Sequence, residues 1–289
     1  MNDSTYLVTG ATDGIGKATA LALARTGATV ILHGRDPAKT AQALADVQAA
    51  TGSSQVHPVL ADFASLDDVA AFADRVHRDF GTLNVLINNA GLLTDHRQLS
   101  REGFELTFAV NYLAPFLLTH RLLGLLQRNA PARIVNVAST AMGGGQIRLD
   151  NLQAEQRFDG WRAYANSKLA SVLFSALLAE KLAGTGVVSN SLCPGLIDTN
   201  FFHTNNIFAN GGYERLRPGM RTPEEGALVP LFLATAEDAG GITGEFFVRE
   251  GRDGRRPLPL DWDRGLAAAL WQRTLDDLAP WLNPTASAR

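Results

Sequence analysis

Short apolar, β-branched runs alternate along this chain with longer stretches of helical periodicity, and this alternation limits the fold more than any other feature. Runs such as Val85-Leu86-Ile87 are continuously apolar, which is typical of strands covered by helices on both faces. We therefore predict an α/β fold with a doubly wound, parallel, seven-stranded sheet. The predicted strands are residues 5–9, 29–33, 55–61, 83–88, 133–138, 187–193 and 244–248, and the predicted helices are residues 15–26, 37–50, 66–79, 101–128, 161–183, 223–236 and 263–278.

Two long segments interrupt the alternation. Residues 140–160 contain three consecutive glycines, and residues 196–221 carry several aromatic side chains. Long irregular segments in compact domains tend to be functional lids. We predict one domain over residues 1–289, with an insert at 140–160, a substrate lid at 196–221 and a C-terminal extension at 249–289.

Composition limits the partners and the compartment. The 26 basic and 29 acidic residues give a net charge of −3, which offers no electrostatic footprint for nucleic acid. No apolar run reaches the roughly 18 residues of a membrane span, and the first residues lack a signal-peptide pattern. Cys193 is the single cysteine, and the histidines show no zinc-ligand spacing. We expect a cytoplasmic protein without a disulfide, a metal, a nucleic-acid partner or a membrane span.

A glycine-rich segment joins the first predicted strand to the first predicted helix. It reads Thr-Gly-Ala-Thr-Asp-Gly-Ile-Gly over residues 9–16. Glycines at such a junction let the backbone approach a pyrophosphate, which sits at the positive N-terminus of the helix. An ordinary glycine-rich turn is the alternative, but the position at the start of a βαβ run favours dinucleotide binding. The candidate residues are Gly10, Thr12, Asp13, Gly14, Ile15 and Gly16.

The spacing Gly-x-x-x-Gly-x-Gly resembles that of the compact branch of the short-chain dehydrogenase/reductase family. This resemblance implies a Rossmann-type fold and hydride exchange between a nicotinamide cofactor and a carbonyl or alcohol group. The extended branch, which modifies nucleotide sugars, usually has a different glycine spacing.

The end of the second predicted strand bears on the choice of cofactor. Gly34 stands where NAD-preferring relatives carry an aspartate. Arg35 follows directly, and its planar guanidinium suits the 2′-phosphate of NADP. Asp36 could instead accept a ribose hydroxyl, but we expect it to cap the helix that begins with Pro37. The sequence favours NADP(H) over NAD(H).

Tyr164 and Lys168 lie four residues apart, on one face of a predicted helix. An ammonium beside a phenol stabilises the phenolate and lowers its pKa towards working pH. Tyr164 is thus the candidate general acid for carbonyl reduction, or the general base for alcohol oxidation. A core tyrosine near an exposed lysine is the alternative. The family resemblance implies that Lys168 also binds the nicotinamide ribose.

Two further residues are candidate members of the catalytic set. Ser139 ends the fifth predicted strand, where a hydroxyl faces the ligand crevice and can hydrogen-bond a substrate carbonyl. Asn111 lies inside a predicted helix, where its amide competes with backbone hydrogen bonds, and such local inconsistency points to function. The resemblance implies that Ser139 orients the carbonyl and that Asn111 holds a water linking the lysine to solvent.

The resemblance implies further cofactor contacts. The Asn-Asn-Ala-Gly sequence after the fourth strand matches a family motif that lines the cofactor crevice, an acidic residue after the third strand matches an adenine-contacting position, and the Pro-Gly pair after the sixth strand precedes a threonine that holds the nicotinamide amide. We expect Cys193 to be a small buried residue. The implied cofactor-binding residues are Asp62, Asn89, Ala90, Gly91, Pro194, Gly195 and Thr199.

The predicted function is an NADP(H)-dependent oxidoreductase that acts on the carbonyl or alcohol group of a small-molecule substrate. Tyr164 follows Ser139 by 25 positions, a spacing that resembles the layout of retinol-dehydrogenase-like and protochlorophyllide-reductase-like members. The aromatics of residues 196–221 suit a bulky apolar substrate, although they could equally pack the lid onto the core. A catalytically silent NADP(H) sensor and, less favoured, an epimerase or dehydratase are the alternatives. The resemblance implies a homodimer or homotetramer that pairs through helices near 101–128 and 161–183, although the tail could instead cover that surface.

Overall fold

We describe a computed structural model of the chain, covering residues 4–203, 205–250 and 254–282. Strands and helices alternate, as predicted. The strands are β1 Thr5–Val8, β2 Thr29–Gly34, β3 Val56–Leu60, β4 Val85–Asn88, β5 Ala132–Val137, β6 Val187–Cys193, β7 Phe246–Glu250 and β8 Gly254–Leu258. The helices are α1 Gly14–Ala24, α2 Pro37–Thr51, α3 Leu66–Asp79, α4 Leu106–Phe108, α5 Ala114–Arg128, α6 Gly160–Lys181, α7 Asn200–His203, α8 Gly212–Leu216, α9 Pro223–Thr235 and α10 Arg264–Leu282.

Within the described residues the strands form one eight-stranded sheet in the order β3-β2-β1-β4-β5-β6-β7-β8. The first seven strands are parallel, and β8 pairs antiparallel with β7. The prediction of seven strands was wrong by this edge strand. The sequence Gly-Arg-Arg-Pro-Leu has no apolar alternation, and Pro257 is tolerated because β8 lies at the edge of the sheet. Residues 254–258 form a strand because they pair with the free edge of β7, and no local sequence pattern indicates this pairing.

Helices cover both faces of the sheet, and among the described residues a large apolar core lies on each face. Alternate residues of a strand point to opposite faces, so Leu7 and Ile31 enter the core under α3, α5 and α6, whereas Val8 and Leu32 enter the core under α1, α2 and α9. All four side chains are fully buried. This burial of β1 and β2 on both faces explains why the strands read as continuous apolar runs.

The predicted helix at 101–128 begins later and is interrupted. Both carboxylate oxygens of Glu105 accept backbone N–H bonds, from Thr107 and Phe108, so the helix begins at Leu106. A π-helical turn, Ala109–Leu113, then separates α4 from α5. Leu106–Arg128 is long and apolar enough to cross a membrane, with a mean hydropathy of 1.2, contrary to the expectation that no segment is. The fold buries 78% of that window, and core helices meet the same criterion.

Helix α10 lies on the faces of α5 and α6. The hydroxyl of Tyr112 and that of Thr274 are 2.8 Å apart and buried. The Trp271 ring packs edge-on against Phe116 and stacks on Phe174, with ring centroids 4.9 and 5.8 Å away. The C-terminal extension thus covers the surface through which the family resemblance implied pairing, and the oligomeric state stays a prediction.

Candidate active site

A cavity of about 830 Å³ opens at the carboxyl ends of the parallel strands. This is where ligands bind in open α/β sheets. The wall of the cavity contains every predicted site residue except Asn111. These residues are Gly10, Thr12, Asp13, Gly14, Ile15, Gly16, Arg35, Asp62, Asn89, Ala90, Gly91, Ser139, Tyr164, Lys168, Pro194, Gly195 and Thr199.

The glycine loop packs so closely that side chains at its glycines would collide with neighbouring atoms. Gly10 and Gly14 have positive φ angles of 63° and 52°. A Cβ at Gly16 would lie 2.2 Å from the carbonyl oxygen of Gly10, so the loop and the start of α1 pack backbone to backbone. Asp13 precedes α1 without capping it through its side chain, unlike the capping residues of α2, α3, α6 and α9. The first N–H groups of α1 therefore face the cavity uncapped, which fits a dinucleotide pyrophosphate.

Asn89 holds the glycine loop against the end of β4. Its side-chain amide donates to the carbonyl oxygens of Thr9 and Gly10, at 2.9 and 3.2 Å. The Thr9 hydroxyl in return accepts the backbone N–H groups of Asn89 and Ala90. Asn89 and Ala90 thus shape the loop through which the pyrophosphate would be bound.

The end of strand β2 carries the predicted helix cap. Asp36 caps α2, accepting a hydrogen bond from the backbone N–H of Lys39 at 2.8 Å. Its carboxylate is engaged with the helix, which confirms the capping role. Arg35 is exposed on the cavity wall. A Cβ at Gly34 would lie 2.1 Å from Thr40 Oγ1 and 2.4 Å from Thr12 Cγ2, so a larger residue does not fit there.

Asp62 makes a hydrogen bond within its own turn and also lines the cavity. Its carboxylate accepts the backbone N–H of Ala64 at 3.0 Å, an Asx turn after β3. The same residue lines the cavity beside Phe63. The contact with adenine implied by the resemblance stays a prediction.

Tyr164, Lys168 and Ser139 meet at the inner end of the cavity. Tyr164 and Lys168 lie on α6, with Lys168 Nζ 5.5 Å from the centre of the phenol ring. Lys168 is only 5% exposed and donates a hydrogen bond to Val137 O at 2.9 Å. The Ser139 hydroxyl hydrogen-bonds the Tyr164 side chain and also accepts the backbone N–H of Ala141. The Ser139 hydroxyl, the Tyr164 phenol and the Lys168 amine thus line the same part of the cavity.

The pKa of Tyr164 shifts in the direction opposite to the one expected from the sequence. Burial raises the pKa of the Tyr164 phenol above its usual value, although the hydrogen bond from Ser139 opposes this shift. The expected net lowering of the Tyr164 pKa is wrong for this structure, because desolvation of the buried phenol is the largest effect on it. Burial lowers the pKa of Lys168 from 10.5 to about 8. The phenol is therefore held protonated near neutral pH, and the lysine titrates near pH 8.

Asn111 lies outside the cavity wall, in the π-helical turn. Its amide donates to Leu92 O and Ser167 Oγ, both at 2.9 Å, and its Oδ1 accepts the Leu92 N–H at 2.8 Å. The turn is the local inconsistency that the sequence indicated, and π-helical turns often occur at functional sites. The side chain links α6 to the loop after β4, and its role in holding a water stays a prediction.

The loop after β6 brings Thr199 against the glycine loop. Gly195 has a φ of 95°, which permits the turn that follows Pro194. A Cβ at Gly14 would lie 2.8 Å from Thr199 Cγ2, so the two loops touch. Cys193 is buried as expected, with its sulfur 3.7 Å from Thr140 Oγ1.

Aromatic rings form the outer wall next to Tyr164. The rings of Trp161 and Phe201 lie 5.7 and 5.3 Å from that of Tyr164, and Phe208 contacts both Phe201 and Phe202. Trp161 is 48% exposed at the cavity mouth. Sequence reasoning missed Trp161, although its position three residues before Tyr164 places it on the same helix face.

The predicted lid is fastened on two sides of the cavity. Asn200 donates to the Asp13 carboxylate at 2.5 Å, across the mouth beside the glycine loop. Asn205 donates to Leu93 O at 2.7 Å and Asn206 to Asp95 at 2.8 Å, both in the loop after β4. The sequence carried no signal for these contacts, because the partners are more than a hundred residues apart.

Comparisons with known proteins agree with this geometry. A family model described as short chain dehydrogenase matches residues 4–209. Human retinol dehydrogenase 13 is 37% identical over 92% of this chain and 82% of its own, and bovine (Bos taurus) retinol dehydrogenase 12 is 39% identical over 83% and 76%. Human retinol dehydrogenase 14 is 37% identical over 94% and 85%.

Two solved structures superpose on most of this chain. An uncharacterized protein from Mycobacterium paratuberculosis superposes with a TM-score of 0.75 at 31% identity, over 94% of this chain and 92% of its own. A variant of actinorhodin polyketide ketoreductase, solved with NADPH, superposes with a TM-score of 0.69 at 26% identity, over 86% and 95%. Oxidoreductases acting on CH–OH or C=O groups are thus found among both kinds of relative.

Proposed function

This chain belongs to the short-chain dehydrogenase/reductase family, and from that premise we propose that it is an NADP(H)-dependent oxidoreductase that interconverts the carbonyl and alcohol forms of a bulky apolar substrate. The observation that carries the proposal is the meeting of Ser139, Tyr164 and Lys168 at the inner end of a cavity whose other end is the uncapped start of α1. One continuous space thus runs from the phosphate loop to an acid–base group.

The roles of the three residues follow from their chemistry. A bound nicotinamide would supply the hydride chemistry at the substrate carbon. Tyr164, held protonated by burial, would donate its proton to the carbonyl oxygen in reduction, and in oxidation its phenolate form would accept the proton of the alcohol. Ser139 hydrogen-bonds the same oxygen, and the Lys168 ammonium stabilises the phenolate left on Tyr164.

The β2 end supports NADP(H). A side chain at Gly34 would collide with Thr12 and Thr40, so an aspartate that binds ribose hydroxyls does not fit at this position. Arg35 stands at the cavity wall with its guanidinium near solvent, suited to a phosphate dianion. The ketoreductase relative solved with NADPH is consistent with this preference.

The lid side of the cavity supports an apolar substrate. Trp161, Phe201, Phe202 and Phe208 form a wall of aromatic rings against Tyr164. Aromatic walls with few polar groups suit ligands that bury a large apolar surface. The relatives named retinol dehydrogenases are consistent with this class of substrate.

The test is oxidation of NADPH and NADH with a panel of bulky apolar aldehydes and ketones. Wild type is compared with Tyr164→Phe, and with Tyr6→Phe as a control on β1, outside the cavity. We expect turnover that prefers NADPH, a loss of at least roughly 100-fold in Tyr164→Phe, and retained activity in Tyr6→Phe. Undiminished activity in Tyr164→Phe would contradict the mechanism. Tight NADPH binding without turnover on any carbonyl would favour the silent sensor instead.

The cofactor preference is tested separately with Arg35→Ala. We expect the KM for NADPH to rise about tenfold and the KM for NADH to stay nearly constant, because only NADPH carries the phosphate. Arg25→Ala, an exposed arginine outside the cavity, is the matched control. An equal effect on both cofactors would contradict the role of Arg35. The cytoplasmic location and a homodimer or homotetramer stay predictions.

A further inference from the structure

His33 is a buried histidine on the wall of the cavity that the proposed mechanism does not use. It lies on β2, one residue before Gly34, and is 3% exposed. A buried histidine is usually a satisfied core residue, so its partners decide whether it does more. Here the partners belong to two loops that both line the cavity.

The imidazole joins the ends of β1 and β3. Its Nδ1 accepts the backbone N–H of Gly10 at 3.0 Å, and its Nε2 donates to Ala61 O at 3.0 Å. These roles require the neutral ring with its proton on Nε2. The backbone carbonyl of His33 also accepts the N–H of Ala11, at 2.8 Å. Two consecutive N–H groups of the glycine loop are therefore bound to this one residue.

The surroundings of the ring keep it neutral and immobile. The imidazole stacks on Phe63 and Phe72, with ring centroids 4.4 and 5.0 Å away. Burial lowers the pKa of His33 from 6.5 to about 4, against the opposing effects of the hydrogen bond to Ala61 and of the Asp62 carboxylate. Near neutral pH the ring thus presents an acceptor towards Gly10.

We propose that His33 is a positioning residue for the adenosine and pyrophosphate half of NADP(H). Its two ring hydrogen bonds hold the glycine loop at a fixed distance from the end of β3. The proposal rests on the proposed cofactor. Because Gly10 and Ala11 donate to His33, the first turn of the loop is set before any ligand binds, and the uncapped N–H groups at the start of α1 stay directed at the cavity. Preorganisation of this kind raises affinity, while the chemistry at Tyr164 is left unchanged.

Two variants separate the hydrogen bonds from the packing. His33→Phe keeps an aromatic ring against Phe63 but removes both ring hydrogen bonds. His33→Asn loses the stacking but places an amide oxygen near the position of Nδ1, so the bond from Gly10 can be kept. His57→Phe is the matched control, because His57 is a half-buried histidine on the adjacent strand β3, outside the cavity.

The experiment measures the Kd of NADPH and of 2′,5′-ADP, which carries only the adenosine half, by titration with folded protein checked by circular dichroism. We expect His33→Phe to weaken both ligands roughly tenfold, His33→Asn to recover most of the loss, and kcat at saturating NADPH to change less than about twofold. His57→Phe should bind both ligands like wild type.

The outcomes separate this proposal from the one it rests on. A wild type that binds neither NADPH nor 2′,5′-ADP would overturn the proposed cofactor. Wild-type binding with His33→Phe within about twofold of it would overturn the role of His33 alone. The same holds if His33→Asn binds no better than His33→Phe, because packing and not the bond to Gly10 would then be responsible. A fall in kcat with unchanged Kd would also overturn it.

Discussion

The Nζ of Lys168 donates a hydrogen bond to the backbone carbonyl of Val137 at 2.9 Å, tying helix α6 to the last residue of β5. The contact buries the lysine among the residues of the inner cavity, and this burial lowers its pKa to about 8. The charge on this side chain therefore changes within the pH range in which the enzyme can be assayed.

The first prediction concerns this titration. Below about pH 8 Lys168 is an ammonium that attracts the anionic cofactor, and above it the charge is lost. The Kd of NADPH should therefore rise roughly tenfold between about pH 7 and pH 9. Binding titrations across this range measure the effect. Lys168→Met should bind more weakly and without this pH dependence.

A Kd for NADPH that stays constant from about pH 7 to pH 9 would contradict the assignment of this titration to Lys168. Tyr164 does not titrate in this range, because burial raises its pKa.

The second prediction concerns acid stability. Because His33 is buried in its neutral form, its pKa in the folded protein lies below the 6.5 of the unfolded chain. As pH falls from 6.5 to about 4, the unfolded state takes up the proton first, so the free energy of unfolding decreases by about 3 kcal/mol. Urea unfolding of wild type and His33→Phe over this range measures the difference. Parallel curves for the two proteins would contradict the assignment.

The third prediction concerns the bond between Asn200 and Asp13, which joins the lid to the glycine loop. Asn200→Ala removes this donor, and NADPH should dissociate about fivefold faster, because the predicted lid loses its bond to the glycine loop. Stopped-flow displacement gives the rate. Gln272→Ala removes a similar exposed amide–carboxylate bond on α10 and should leave the rate unchanged. Equal rates for Asn200→Ala and wild type would show that this bond does not hold the lid.

The fourth prediction concerns the attachment of α10. Thr274 donates to Leu270 O at 2.7 Å, so in its bond with Tyr112 the phenol is the donor. Thr274→Val leaves the Tyr112 hydroxyl buried without this acceptor and should cost about 2 kcal/mol. Tyr112→Phe removes the donor but leaves Thr274 bonded, and should cost about 1 kcal/mol.

A double-mutant cycle measures this coupling. The double variant should be destabilised by less than the sum of the two single variants, by about 1 kcal/mol. Chemical denaturation supplies the free energies of unfolding. Additive effects would show that the two hydroxyls act independently.

Local patterns were sufficient for most elements. Strand β6 and helix α3 have the predicted bounds, because the Pro194-Gly195 turn follows β6 and the Ser65 cap starts the amphipathic repeat of α3. The helix predicted from residue 101 begins at Leu106, because the Glu105 carboxylate caps it. Strand β7 lies two residues later than predicted, at Phe246–Glu250, and β8 was not predicted.

The sequence by itself determined the layers of the sheet, the glycine loop and the helical spacing of Tyr164 and Lys168. These features depend on periodicity and on residues close together in the chain, so local sterics and hydrogen bonding specify them. Only the tertiary structure decided the direction of the Tyr164 and Lys168 pKa shifts, the π-helical turn at Asn111, the link that His33 makes between two strand ends, and the place of α10. Each of these depends on desolvation or on contacts between distant residues. The spacing of neighbouring residues in the chain specifies neither desolvation nor long-range contacts.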